Sequence, residues 1–552
     1  MQGKIKEIVR DVLKDLEISE MIDFTVEHPE DLKNGDYSSN VAMVLARNLK
    51  TNPRELAEKI IKEISARQDL ADLAEVEKIE EKNGFINFYL AKDFFQNSVK
   101  EVLKNKDFGW NESLKGKKIM VEHTDPNPFK EFHIGHLMPN VIGSTVARVL
   151  SWNGAEVKEA CYQGDVGMHV AKAIWAMRKG FDIKIAYASG SKAFEEDEDV
   201  KKEIQEINKK IYDKSDEKIN KFYNSGRQES LGYFDSVYKR LGTRFDYFFF
   251  ESEVAGIGKK IVEENLGESL PAGRQVFEKG EKGAIIFRAE NFDKSLHTRV
   301  FVNSEGLPTY EAKELGLAKE KYDRYKYDKS IVITGNEIND YFKVLLCAIK
   351  QIFPELAEKT LHFSHGMLRL PTGKMSSRTG DVITAESLID MVKEKVKGDE
   401  GVAIGAIRYM ILRQAIGGNI IFDIEKSVST EGDSGVYLQY SYARANSILE
   451  KAKEKKISAE VRLLQDWQTT ELEKLLYRFP EVVLRAGQEF APHYIVSYLT
   501  ELARTYNSFY GNNQIIDAKD ASSPYKVALS HAFFIVMKNG LNILGIPVLE
   551  KM

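Results

Sequence analysis

His133-Ile134-Gly135-His136 and, about 240 residues further on, Lys374-Met375-Ser376-Ser377-Arg378 are the stretches of this chain best equipped for chemistry. The two histidines stand three apart at the start of an apolar helical run (Ile142, Val146, Val149, Leu150), which puts both imidazoles on one face of a first helical turn. Free backbone N–H groups and the helix dipole already favour an anion there. Gly135 removes a side chain where a nucleotide must come close. The second stretch gathers Lys374, Ser376, Ser377 and Arg378 between Gly373 and Gly380, a loop able to bring positive charge to the same anion. Together the two suit the phosphates of ATP, and neither is a P-loop. No cysteine or further histidine stands near enough to make the first a zinc site.

The elements around the motif fit that reading. Lys117–Val121 reads as a buried strand, Pro126 breaks it, the motif opens a helix, and Glu156–Tyr162 is the next strand. Strand, phosphate-facing turn, helix, strand is the first half of a doubly wound, Rossmann-type nucleotide fold. Ile331–Gly335 is a later strand ending in glycine, and Tyr341, Val344, Leu345 and Ile349 continue from it as a helix. The α/β body is expected over about 115–400, with a charged helical insertion at about 183–295 whose acidic run Glu195–Asp199 reads as a solvated face. Residues 1–108 read as a separate small α/β domain, with an amphipathic first helix (Ile5, Ile8, Val9, Val12, Leu13, Leu16) and a strand at Gly84–Leu90. From about 401 to 552 only helical spacing remains, as in Leu472, Leu475, Leu476, Phe479 and in Ile495, Tyr498, Leu499, Leu502.

A chain of 552 residues has room for three domains, and 43% apolar with 30% charged residues is ordinary for a cytosolic protein. Two cysteines exclude a disulfide framework and a Cys-based zinc knuckle, and no metal site is expected. No leader and no stretch of roughly 20 apolar residues is apparent, so a cytoplasmic location with no membrane partner is expected. With a net charge of −5, binding of RNA would rest on local basic patches and aromatic rings.

With these residues in view, the chain resembles the arginyl-tRNA synthetases among the class I aminoacyl-tRNA synthetases. Val121–Leu137 is similar to that family's extended HIGH signature, and Gln163-Gly164-Asp165-Val166-Gly167 follows as its Gly-Asp-x-Gly does, with Val166 where a tryptophan is common. Leu307–Leu315 resembles the helix of the arginine pocket, and Tyr437–Arg444 the start of the anticodon-binding domain. Asn539–Ile546 resembles the C-terminal signature, and Asn34–Ala42 the N-terminal domain that grips the tRNA elbow. Three departures stand out: Ser377 replaces the second lysine of KMSKS, Glu314 replaces a more usual aspartate, and Ile338 stands where relatives carry glutamine.

The resemblance implies ATP-dependent attachment of L-arginine to its tRNA through an arginyl-adenylate, by a monomer, with Mg2+ arriving on ATP. It implies that His133 and His136 donate to phosphate, that Lys130, Lys374 and Arg378 neutralise pyrophosphate, and that Gly135, Met375, Ser376 and Ser377 line the nucleotide. Tyr310 and Glu314, four apart on one helix face, would meet the guanidinium, while Glu122 and Asn127 would meet the rest of the amino acid. Expected tRNA contacts are Asn34, Tyr37 and Asn40 at the elbow and Tyr440, Tyr442, Arg444, Tyr498, Arg504 and Tyr510 at the anticodon. A cysteinyl- or methionyl-type enzyme would bring cysteine-rich zinc features, and a small nucleotidyltransferase would lack the helical region. A silent tRNA-binding paralogue would have no use for His133, Gly135, His136 and Lys374.

Overall fold

Ile119-Met120-Val121 and Ile331-Val332-Ile333 carry no polar residue and are buried throughout, as parallel strands covered by helices on both faces must be. They form the middles of β1 (Lys118–Glu122) and of β4 (Lys329–Gly335) in a five-stranded sheet completed by β2 (Glu156–Gln163), β3 (Tyr247–Phe250) and β5 (Thr360–His365). Every pairing is parallel and the order is β5-β4-β1-β2-β3. The direction of winding therefore reverses between β1 and β4, and the crevice at their carboxyl ends is where such sheets receive ligands. Glu122 ends β1 there, and Gly335 ends β4.

The computed structural model describes residues 1–18, 23–67, 75–267, 275–371, 383–461 and 467–552. The loop carrying Lys374, Met375, Ser376, Ser377 and Arg378 lies outside them. The stretch expected as one helical insertion at about 183–295 is instead two. Helices Ile183–Glu196, Glu198–Asp213 and Glu217–Leu241 follow β2, and then β3 returns to the main sheet as its edge strand. After helix Glu251–Glu264 comes a three-stranded antiparallel sheet of Glu278–Lys279, Ile285–Phe287 and Arg299–Val302, which leads into helix Tyr310–Arg324. The acidic run is a helix junction: Asp197 caps Glu198–Asp213 by accepting from the N–H groups of Asp199 and Val200.

Chain packing divides the molecule into two units. One comprises Gly109–Asn446, Pro480–Arg504 and Met537–Met552, and so holds the parallel sheet. The other comprises Met1–Phe108 with Ser447–Phe479 and Thr505–Val536. Its antiparallel sheet orders Val26–Glu27, Tyr37–Ser39, Phe85–Leu90 and Val76–Lys82 from one edge to the other. Within that unit Tyr477 packs among Phe94, Phe95, His28 and Tyr37, with ring centroids 5.2–6.2 Å away, and Lys474 stands 3.4 Å from buried Asp36. Helix Ser523–Leu544 is long and apolar enough to cross a membrane by composition, yet 72% of its apolar window is buried in protein.

Candidate active site

His133 is the N-cap of helix Ile134–Trp152 and His136 its third residue, and each ring is held by the backbone of the other's neighbourhood. The Gly135 N–H donates to His133 Nδ1 at 3.0 Å, and the His133 N–H donates to His136 Nδ1 at 3.3 Å. This is a capping box built from two imidazoles, whose rings stack at 3.8 Å. Because both Nδ1 atoms accept, the proton of each neutral ring sits on Nε2, and both rings offer N–H donors outward. Burial, reinforced by the charge of Lys130, pushes His133 down to about 4; burial, then His133 and Lys130, push His136 well below its ordinary value. Both are neutral donors at physiological pH. Gly135 is required by His133 itself, since a Cβ there would stand 2.7 Å from that ring.

The turn before the helix takes an uncommon backbone path. Thr124, Asp125 and Phe129 all have positive φ, and a relay of side chains fixes them. His123 bridges Glu159 Oε2 at 3.0 Å and Thr124 Oγ1 at 2.8 Å; Asn140 donates to the same Thr124 oxygen and accepts from Thr243. Asp125 accepts the Tyr162 N–H at 2.7 Å. On the other side, Ile134 donates to the Ile383 carbonyl and Ala385 to that of Phe132, so the chain leaving the Lys374–Arg378 loop is stitched beside His133. Lys130 stands over the Tyr187 ring at 4.3 Å.

Next to this turn lies an acidic pocket with aromatic walls. Gly258 and Gly316 let helices Glu251–Glu264 and Tyr310–Arg324 meet backbone to backbone, which brings Glu251, Lys313 and Glu314 to the crevice. Four carboxylates, Glu122, Asp125, Glu251 and Glu314, face two buried lysines. Lys321 donates to Glu122 at 2.7 Å and Lys313 pairs with Glu251. The remaining two acids have no cation. Burial and then Glu122 push Glu314 up to about 8, and the same two causes hold Asp125 well above the carboxylate range. Tyr310 is hydrogen-bonded to Glu314 and stands 5.0 Å from the Tyr341 ring, and the buried hydroxyls of Tyr162 and Tyr341 lack protein partners. A planar cation would supply the missing charge and the missing donors.

The structure thus brings together Lys130, His133, Gly135 and His136 at one end of the crevice and Glu122, Asn127, Tyr310 and Glu314 at the other. Asn127 packs over Gly164, where a Cβ would stand 2.3 Å from its Oδ1. Lys321 holds Glu122 by its Oε2. Ile338 is partly buried and packs against the apolar cluster that contains Tyr341 and Phe342. Asp125, Tyr162, Glu251, Lys313, Lys321 and Tyr341 were not found from sequence; the one signal was Lys321, two helical turns past Glu314. Asp165 of the Gly-Asp segment is a fastener, accepting from Tyr223, Arg227 and Ser252.

Among the expected RNA contacts, Tyr37, Tyr442 and Tyr498 are corrected. They are 0%, 2% and 6% exposed and serve as core, so no ring face remains for a base. Tyr440 and Tyr510 are exposed, and Arg444 lies over the Tyr440 ring at 4.8 Å. Arg504 is exposed and paired with Asp433. Asn34 borders a cavity of about 460 Å³, while Asn40 accepts the Thr25 N–H.

Comparison with known proteins agrees across the whole length. Residues 98–403 match the family of class I (R) tRNA synthetase catalytic domains, 3–90 the arginyl-tRNA synthetase N-terminal domain, and 438–552 the DALR anticodon-binding domain. The arginine–tRNA ligase of Treponema denticola is 30% identical, covering 96% of this chain and 94% of its own. That of Borrelia hermsii is 29% identical, with both chains covered in full. In fold, the chain is similar to Thermus thermophilus arginyl-tRNA synthetase, with a TM-score of 0.78 at 23% identity and full coverage of both. Mycobacterium tuberculosis methionyl-tRNA synthetase is more distant, with a TM-score of 0.53 at 13% identity over 78% of this chain and 91% of its own.

Proposed function

The chain belongs to the class I arginyl-tRNA synthetases, enzymes that use ATP to attach L-arginine to tRNA through an adenylate, and from that premise we propose how its residues divide the work. His133 and His136 donate from Nε2 to the phosphates on which charge gathers as the arginine carboxylate attacks and pyrophosphate leaves. Lys130 leaves Tyr187 to join Lys374 and Arg378 on the pyrophosphate, and Met375, Ser376 and Ser377 complete the nucleotide site with Gly135. Glu314 takes the guanidinium with Tyr310 as its wall. Glu122 keeps Oε1 for the α-ammonium while Lys321 holds Oε2, and Asn127 meets the substrate backbone.

The domains at 1–108, 115–400 and 401–552 take the tRNA elbow, the chemistry and the anticodon loop. Tyr440, Arg444 and Arg504 supply anticodon contacts and Asn34 and Asn40 elbow contacts. Mg2+ arrives as part of the ATP substrate. The enzyme works as a cytoplasmic monomer. What carries the substrate assignment is the pocket with two more buried carboxylates than lysines beneath two tyrosine rings. Charging of total tRNA with each of the twenty amino acids tests it: arginine alone should be accepted, and charging with any other would refute it.

A further inference from the structure

Arg408, on helix Glu400–Leu412, is the largest fully buried side chain of the described residues, and it forms no ion pair there. Its Nε donates to the Leu544 carbonyl at 2.8 Å, and its Nη2 donates to Ser144 Oγ and Thr145 Oγ1, each at 3.0 Å. Nη1 is buried without a partner. The nearest charges are Arg148, which repels it, and Glu159, which already holds His123.

These bonds join two features that the chemistry above left separate. Ser144 and Thr145 lie on the helix whose first turn carries His133 and His136, about 12–18 Å further along its axis. Leu544 is the last residue of the last helix, inside the Asn539–Ile546 run that had no role. Gly545 closes that helix in the left-handed region at φ +67, with Ile546 N–H bonded to the Leu541 carbonyl at 2.9 Å. A Cβ on Gly545 would stand 2.6 Å from Arg408 Nη2 and 2.7 Å from Arg148 Nη1. Glycine there both makes the turn and leaves room for two guanidinium groups.

We propose that Arg408 is a positioning residue of the adenylation site. It fastens the His133–His136 helix to the end of the last helix, so that the C-terminal segment sets where the two imidazoles stand. An apolar side chain of similar volume would fill the space without the cost of burying a cation on neutral acceptors. What the guanidinium adds is direction. Bonds from one planar group to two adjacent hydroxyls and a carbonyl fix both the height and the rotation of the motif helix. The negative end of the last helix's dipole compensates part of its charge.

The test rests on the arginine-charging reading only for its assay, since each variant is compared with its parent. A parent that charges no arginine refutes that reading, and adenylate bursts with its accepted amino acid then test this one. Activity is measured with tRNA present and divided by active sites counted from that burst. Arg408→Met should lower kcat per site by about 10–100-fold, the scale for misplaced catalytic donors, with KM for amino acid, ATP and tRNA within about 3-fold of the parent. Arg408→Lys should recover part of the loss. Ser144→Ala with Thr145→Val should act in the same direction and add little in the Arg408→Met background. If Arg408→Met does not fold, the hydroxyl pair decides alone. A kcat per site within about twofold of the parent, with only Tm lowered, would overturn the proposal, since a purely structural tie predicts that result.

Discussion

Replacing Glu314 by Gln keeps the size and one acceptor of the pocket's central carboxylate and removes its charge. A guanidinium deprived of its carboxylate in a buried site loses roughly 3–5 kcal/mol. The structure reduces that figure near neutrality. Burial and Glu122 disfavour the charge of Glu314 and hold it up to about 8, so at pH 7 the parent must first give up a proton. One pH unit of that cost is roughly 1.4 kcal/mol. The net penalty of Glu314→Gln at pH 7 is therefore about 1.6–3.6 kcal/mol, or an arginine KM raised roughly 15–400-fold.

The same reasoning fixes two further readouts. The parent's arginine KM should fall about tenfold per unit between pH 6.5 and 8 and flatten above, while the Gln variant should be flat relative to it through that window. Comparing the two at each pH cancels titration of arginine itself. In the ligand-free protein the sign is opposite. A carboxyl raised from 4.5 to about 8 on folding makes stability fall as pH rises between those values, so Glu314→Gln should match or exceed the parent's Tm at pH 8.5. A variant within about 3-fold of the parent in arginine KM at pH 8.5, or one keeping the parent's slope, would refute Glu314 as the guanidinium acceptor.

His136→Ala should lower aminoacylation kcat by roughly 10²–10³-fold with little change in arginine KM, because it removes one donor to phosphate and nothing from the acidic pocket; an unchanged kcat would rule out that role. Arginine-dependent exchange of pyrophosphate into ATP should be negligible without tRNA and robust with it, as the family resemblance implies, and full exchange without tRNA would contradict this. Tyr477→Ala should destabilise the unit containing residues 1–108 by about 3–4 kcal/mol, the cost of deleting a buried ring, read as a lower thermal midpoint.

What the sequence disclosed and what it withheld follow from how far apart the interacting residues lie. β1 and β4 were readable because strands buried on both faces carry short unbroken apolar runs, and β2, which is charged in its first half, because it follows the motif helix in a strand–helix–strand order. β3 was not, because it is four residues at a sheet edge with Phe248 exposed, set inside a charged helical stretch. Helical spacing between 401 and 552 revealed one apolar face per helix but not what covers it, so the packing of 447–479 with the first hundred residues was invisible. Tyr37, Tyr442 and Tyr498 were misjudged for the same reason: a tyrosine in a motif can stack on a base or fill a core, and only the fold decides.

The site divides along the same line. His133 with His136, and Tyr310 with Glu314, are neighbours within one helical turn, so spacing alone placed them. The ion pairs that set the pocket's charge join residues 62 and 199 positions apart. Without them Glu122 looks like the free carboxylate and Glu314 an ordinary one. With them Glu122 and Glu251 are already paired, and Glu314, held up to about 8, keeps its proton at neutral pH until a cation arrives, with Asp125 raised beside it. A pocket with two carboxyls that no lysine pairs and two unpartnered tyrosine hydroxyls is poorly satisfied by the protein alone, and a neutral amino acid side chain would leave it so. Arginine brings one permanent positive charge and a planar array of five donors, which answers both deficits in a single residue. Lysine brings the charge on one tetrahedral ammonium and cannot span the same acceptors. Discrimination between the two cationic amino acids therefore resides in the spread of acceptors around Glu314 and not in net charge, and Glu314→Gln should weaken arginine without creating a site for lysine.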